Sequence, residues 1–188
     1  MSKSAKHAHQ RNRVNEQPQS SVPRQLELPE PSGPYRGASK PGIFITMLEF
    51  PGVRDKFKSL ADEGNAEQSI DIEVGSLGGY TFGVRCVLRR DDAGEVKVFF
   101  DVCLVSGCWD NNVEWPFAKK ITLIISHTED REKDITLPLC ASRECAVVRK
   151  PHPGCCNEPH RSEPLSWAEI EDRGLISNNI LYVNVELE

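Results

Sequence analysis

The chain has 188 residues, enough for one domain with a sizeable core, and its formal net charge is −5. This mild acidity argues against a protein whose whole surface binds nucleic acid or membranes. No apolar run approaches the roughly 20 residues that span a bilayer, and no apolar block follows the basic N-terminal residues as it would in a secretory signal. The seven cysteines are an odd number. Together these features predict reduced thiols and a cytoplasmic protein without membrane insertion.

Residues 1–41 differ in composition from the rest of the chain. They carry seven Lys/Arg against three Asp/Glu, so their net charge is +4 and that of residues 42–188 is −9. They also hold six of the thirteen prolines and few bulky apolar residues. Such a segment cannot bury enough surface to offset the entropy of ordering it. We therefore expect a disordered, basic, proline-rich lead over residues 1–41 and a folded domain over residues 42–188.

The domain is dominated by period-two alternation of apolar and polar residues, which predicts strands. Such patterns cover residues 43–50, 70–74, 80–88, 96–104, 121–125, 146–149 and 181–187, of which the first and sixth are weak. Asp91 to Gly94 supply the turn residues of a tight hairpin. Many short strands without alternating helices predict an all-β, antiparallel β-sandwich of about eight strands.

Two short helices are expected beside the strands. Val53, Phe57 and Leu60 have the i, i+4, i+7 spacing of a helix that lays one face on a sheet. Ser166 and Glu169 form an S-x-x-E capping box, which predicts a helix start, and a glycine at position 174 would close that helix.

The chemical motifs point away from an enzyme. The sequence lacks the signatures of phosphate-binding loops, dinucleotide-binding loops, zinc proteases and serine hydrolases. Cys140, Cys145, Cys156 and His160 could supply two pairs of zinc ligands, but neither pair has the C-x2-C spacing of a zinc knuckle. A loop with unliganded cysteines is the alternative. A cysteine nucleophile with a histidine base can also be drawn here, without an evident orienting group or oxyanion hole. We expect no enzymatic activity and no cofactor.

Several motifs resemble one known family, the C-terminal domains of the tumour-necrosis-factor-receptor-associated factors (TRAF), within the meprin-and-TRAF-homology (MATH) group. The resemblance covers about residues 42–188, and its motifs keep their order and nearly their spacing. It is carried by Gly79-Tyr80-Thr-Phe-Gly-Val-Arg85-Cys-Val-Leu88, the Asp-Asp-Ala-Gly hairpin, Val96-Lys-Val-Phe-Phe-Asp-Val102, Trp115-Pro-Phe117, Lys120-Ile-Thr-Leu-Ile124 and Gly174-Leu-Ile-Ser-Asn-Asn-Ile-Leu-Tyr-Val183.

The resemblance implies an eight-stranded sandwich that acts as a non-enzymatic adaptor. Its partners would be short extended peptides from receptor tails or signalling proteins of TNF-receptor and innate-immune pathways, added along a sheet edge. Full-length TRAF relatives are further possible partners, and nucleic acid is not expected as one. The alternative is a ubiquitin-ligase-associated or zinc-stabilised interaction module built on the loop over residues 140–160.

Three residues match groove positions of the family. Arg85 matches the strand arginine of the peptide groove, Asp91 an acid at the hairpin, and Phe99 an aromatic of the pocket. Phe99 also lies on the face of its strand opposite Val98 and Phe100, so we expect it in an exposed or edge pocket.

The remaining groove positions match the family less well. His160 and Ser162 fall where the family has its groove-side strand. Val87 stands where the receptor-binding members have a tyrosine, and no serine run occurs near residues 145–147. We expect the peptide preference to differ from theirs or to be lost. Residues 1–41 contain no heptads for a trimerising coiled coil, so the chain is expected to be either a fragment or a stand-alone domain. Without a coiled coil it would act as a solo adaptor or as a competitor of full-length relatives.

Overall fold

The computed structural model describes residues 33–62, 66–139 and 148–188. Within these ranges the chain forms eleven strands and two α-helices. The strands are β1 (Phe44–Pro51), β2 (Glu67–Ser69), β3 (Glu73–Leu77), β4 (Tyr80–Arg90), β5 (Val96–Val105), β6 (Ile121–Ser126), β7 (Ile135–Leu139), β8 (His160–Arg161), β9 (Leu165–Ser166), β10 (Ile176–Ser177) and β11 (Ile180–Leu187). The helices are α1 (Val53–Asp62) and α2 (Trp167–Asp172).

The strands form two antiparallel sheets. Sheet A has the order β1-β11-β6-β7, with β10 beside β11. Sheet B has the order β2-β4-β5-β8, with β3 also paired to β4 and β9 to β5. The predicted all-β sandwich with two short helices is confirmed. No helix in the described residues is long and apolar enough to cross a bilayer.

The core lies between the two sheets and follows the alternation of the sequence. The apolar face of β4, predicted from the sequence, is fully inside and comprises Tyr80, Phe82, Val84, Cys86 and Leu88. The facing strand β11 buries Leu181, Val183, Val185 and Leu187. Burial also raises the pKa of the Cys86 thiol, so this cysteine behaves as an inert part of the core.

The strand predicted over residues 70–74 is wrong in its bounds and in its facing. The strand is interrupted between β2 and β3, and Val74 is 57% exposed. A two-residue turn, Gly78-Gly79, has φ of +56° and +86° and places Leu77 opposite Tyr80. That turn sets the register, and a side-chain period of two then sends Leu77 inward and Val74 outward.

The second face of β11 is covered by the segment before β1. Asn184 donates to the carbonyl of Pro34 (2.7 Å) and accepts from the Arg36 amide (3.2 Å), and Glu186 accepts from the Ser39 amide (3.0 Å). Both polar side chains of β11 are buried as a result. The boundary at residue 42 stays a prediction, and these contacts favour a domain that begins several residues earlier.

Helix α1 confirms the predicted apolar face. Val53 and Leu60 are fully buried, and the Phe57 ring stacks on Trp167 of α2 with ring centroids 4.2 Å apart. This stack joins the two helices beside the sandwich.

Helix α2 begins at the predicted place but without the predicted capping box. The Ser166 side chain makes no capping hydrogen bond, and Glu169 instead pairs with Arg173 one turn later, at 2.9 Å. Gly174 does end the helix, with φ of +69°. Its amide donates to the carbonyl of Glu171 at 2.9 Å, and the Leu175 amide donates to the carbonyl of Ile170 at 3.1 Å, which are the two bonds of a Schellman motif.

Candidate functional site

The candidate site is the solvent side of sheet B near the edge formed by β8 and β9, which we call the outer face. In the described residues β8 and β9 pair only with β5, so their other edge has no strand partner there. Strands β4 and β5 supply the rest of this surface. Their side chains on the outer face are Arg85, Val87, Arg89, Lys97, Phe99, Asp101 and Cys103.

Arg85 is exposed on this face and lacks the counter-ion that its strand position offers. It lies opposite Asp101 in the antiparallel register. The Asp101 carboxylate is instead held by Arg161 of β8, with Nε–Oδ1 at 2.7 Å and Nη2–Oδ2 at 2.9 Å. Within the described ranges no carboxylate lies within 4.0 Å of the Arg85 guanidinium. Arg85 is therefore free to meet an acidic group of a ligand.

Phe99 lies on the outer face as predicted, yet it is not an open pocket. Only 7% of the residue is exposed, because the guanidinium groups of Arg89 and Arg161 lie 5.0 and 5.3 Å from its ring centroid. Both distances suit cation–π contacts. Val87, opposite Phe99, is only 1% exposed. These two residues form the apolar floor beneath the arginines, and their direct contact with a peptide stays a prediction.

Arg161 is the residue of this surface that the sequence analysis missed. It links β8 to Asp101 on β5 and lies 3.5 Å from Glu67 on β2, so its side chain runs across the sheet. The hydrogen bonds that Arg161 donates to the Asp101 carboxylate raise the pKa of Arg161 further above its ordinary value. One feature of the sequence indicates such a cation: the carboxylate of Asp101 lies on the largely apolar strand β5 and therefore requires a nearby positive charge.

Asp91 stabilises the hairpin between β4 and β5. Its Oδ1 accepts from the amides of Ala93 (3.0 Å) and Glu95 (2.9 Å), as turn-forming aspartates do. Its Oδ2 lies 4.0 Å from Lys97 Nζ. The carboxylate is thus largely used within the turn, and its role as a groove acid stays a prediction.

His160 and Ser162 are directed away from the outer face. His160 lies opposite the inward-facing Val102 and lines a small cavity of about 30 Å³ between the sheets. The Ser162 hydroxyl accepts from the Phe100 amide (3.0 Å) and donates to the carbonyl of Glu163 (2.9 Å). Ser162 is buried, so the structure does not bring either residue to the surface that carries Arg85.

The zinc hypothesis is not supported by a ligand cluster in the described residues. No group of three or more His, Cys, Asp or Glu side chains in these ranges is placed to hold a metal ion. Cys140 and Cys145, two of the four candidate ligands, lie outside the described residues. Of the other two, Cys156 has an exposed thiol, and His160 has a half-buried imidazole that lines the cavity.

Two of the motifs that carried the family resemblance pack on each other. The Tyr80 ring meets the rings of Trp115 and Phe117 edge-on, with centroids 5.4 and 4.9 Å apart. Its hydroxyl donates to the carbonyl of Glu114 at 2.7 Å. The Gly-Tyr and Trp-Pro-Phe motifs therefore form one structural cluster, which explains why they keep their spacing.

The described residues thus form an antiparallel sandwich in which sheet B has an open strand edge. Residues 74–184, more than half of the chain, match the model of the TRAF/meprin MATH domain. The chain therefore belongs to this family, whose members are generally interaction modules rather than enzymes.

The structural comparison agrees with the family. The solved structure of TRAF5 from Notothenia coriiceps is similar with a TM-score of 0.58 and 15% sequence identity, covering 77% of this chain and 72% of that chain. At this identity the likeness establishes the fold. A search of the curated proteins finds no match.

Proposed function

We propose that this domain is a cytoplasmic adaptor that binds short extended peptides containing an acidic residue. The peptides would belong to receptor tails or signalling proteins of TNF-receptor and innate-immune pathways. The observation that carries the proposal is the exposed Arg85 guanidinium, which has lost its cross-strand partner Asp101 to Arg161. Since an exposed cation without an ion-pair partner attracts carboxylates, it selects acidic peptides.

The open edge of sheet B supports an extended ligand. A peptide that adds to β8 and β9 gains main-chain hydrogen bonds, which provide affinity largely independent of sequence. Arg85 lies on β4, two strand spacings from β8 and therefore three spacings, or roughly 14 Å, from a peptide strand added to β8. A fully extended arginine and a fully extended glutamate side chain are needed to span that distance, so a long acidic side chain of the peptide provides the selectivity.

The floor of the site predicts how the preference differs from that of receptor-binding relatives. Val87 and Phe99 offer a ligand little apolar area, because the first is 1% exposed and the second is covered by two arginines. Electrostatic attraction then contributes more of the affinity than apolar contact. Binding should therefore weaken markedly as the salt concentration rises.

The test is a titration of the full chain with an array of short receptor-tail and signalling peptides, each paired with a version whose acidic residues are replaced by amides. We expect binding that requires the acidic residue and that Arg85→Ala weakens about tenfold or more, the loss of one charged hydrogen-bonded contact. Arg131→Ala is the matched control, since Arg131 is an exposed arginine in the turn before β7. If no peptide binds the folded protein, or if both variants bind like wild type, the proposal is wrong.

A further inference from the structure

Two cysteines on separate segments meet at the margin of the outer face. Cys103 is on β5 and is 5% exposed, whereas Cys156 precedes β8 and is exposed. An isolated antiparallel bridge pairs Cys156 with Val105, which points to the same side of the sheet as Cys103. Cys103 and Cys156 are thus diagonal neighbours across paired segments, and burial together with the proximity of Cys156 raises the pKa of the Cys103 thiol.

The backbone around the bridge holds this juxtaposition. The Ser106 amide donates to the carbonyl of Cys155 at 2.9 Å, and the Asn157 amide donates to the carbonyl of Leu104 at 2.8 Å. These bonds flank Cys156 on both sides and keep it against β5. Because Cys156 lies in a short exposed segment, it can approach Cys103 to the S–S bond length of about 2.05 Å without unfolding the sheet.

We propose that Cys103 and Cys156 form an oxidisable thiol pair that closes into an intramolecular disulfide when the protein meets hydrogen peroxide. This modification site goes beyond the peptide-binding function and does not depend on it. All five cysteines of the described residues are free thiols, and the others among them are Cys86, Cys108 and Cys155. Within that set, Cys103 and Cys156 are the pair that an antiparallel bridge brings together across two segments distant in sequence.

The exposure of the two thiols assigns them different roles. Cys156 is exposed, so its thiolate attacks peroxide first: an S–O bond forms, the O–O bond breaks, and the departing hydroxide takes a proton and leaves as water. The Cys103 sulfur then attacks the Cys156 sulfenic acid. The S–S bond forms, the S–O bond breaks, and the hydroxyl leaves as a second water with the proton of Cys103. Peroxide is thereby reduced by two electrons, and the thiol pair is oxidised by two.

The environment of Cys103 suits a resolving rather than an attacking cysteine. Burial, followed by the neighbouring Cys156, raises the pKa of Cys103 to about 11. The Arg85 charge acts in the opposite direction. Cys103 therefore stays protonated and unreactive toward peroxide until a sulfenic acid forms beside it.

The experiment treats the reduced full chain with a small excess of hydrogen peroxide, blocks the remaining thiols with N-ethylmaleimide and maps the disulfides by digestion and mass spectrometry. We expect a monomer that is lighter by two hydrogen atoms, a Cys103–Cys156 cross-link, and full reversal by dithiothreitol. Cys103→Ser and Cys156→Ser should both lose the cross-link, whereas Cys155→Ser and Cys108→Ser should keep it. Because Cys156 is exposed, its replacement does not threaten folding.

Two outcomes would overturn the proposal. One is a cross-link dominated by any other cysteine pair or by disulfide-linked dimers. The other is conversion of the native protein to sulfinic acid without a Cys103–Cys156 bond. The same oxidation in concentrated urea is the control for geometry. There the pairing should lose its selectivity, and an equally selective cross-link in urea would show that the fold does not create the pair.

Discussion

Replacement of Arg36 by alanine tests how far the folded domain extends toward the N-terminus. Arg36 pairs with Asp134 through Nε–Oδ2 at 2.6 Å and Nη2–Oδ1 at 2.8 Å, with side chains 7% and 12% exposed. Its Nη2 also donates to the carbonyl of His127 at 2.7 Å. Loss of one partner of a buried pair costs about 3–5 kcal/mol, because the other charge stays desolvated. Since Asp134 keeps a bond from the His127 amide, we expect about 3 kcal/mol, the lower end of that range.

The control is another arginine with similar geometry but greater exposure. Arg54 Nη1 lies 2.8 Å from both carboxylate oxygens of Glu171, and these side chains are 42% and 32% exposed. Exposed pairs contribute about 0–1 kcal/mol, so Arg54→Ala should have little effect. Both variants remove an arginine from an ion pair of similar length, so the difference between their free energies of unfolding reports the effect of burial.

The assay is urea denaturation of the full chain followed by tryptophan fluorescence, which measures the free energy of unfolding. A loss of about 3 kcal/mol corresponds to a melting temperature lower by roughly 6–12 °C for a domain of this size. An Arg36→Ala variant within about 0.5 kcal/mol of wild type, or no less stable than Arg54→Ala, would refute the reasoning. It would also show that the Arg36 side chain contributes little to stability.

Three further predictions concern the edge strand, a tight turn and the metal. Ser162→Ala leaves the buried amide of Phe100 without its side-chain acceptor and should lower the free energy of unfolding by about 1–3 kcal/mol in urea; an unchanged value would contradict that bond. Gly107→Ala places a Cβ 2.3 Å from Thr81 Oγ1 and should cost about 1–3 kcal/mol. The control Gly37→Ala meets no atom within 4 Å, so equal melting temperatures of the two glycine variants would count against this argument. Elemental analysis of protein purified without a histidine tag should find zinc well below one ion per chain, and stoichiometric zinc would support the alternative built on the 140–160 loop.

The site was predictable only where a residue's role depends on its own strand. The placement of Arg85 and Phe99 on the outer face follows from their positions in the alternation of β4 and β5. The covering of Phe99 and the inward direction of His160 do not follow, because they depend on which strand pairs with β5 and in which register. Ser162 matched a groove position in sequence, but its hydroxyl is used by the backbone of a residue 62 positions away.

The class of fold follows from local patterns in the sequence. Alternation over the nine residues 80–88 and 96–104 indicates that one face of each strand is buried, and this is a local property of β4 and β5 that requires no knowledge of partners. The motifs around Tyr80 and Trp115 likewise carried the family. Which polar groups are satisfied internally depends on the tertiary structure. Among the described residues Arg85 has no ion-pair partner, because Arg161, 76 residues later, pairs with Asp101. Such a choice depends on strand pairing over long separations, and the period of a sequence carries no information about it.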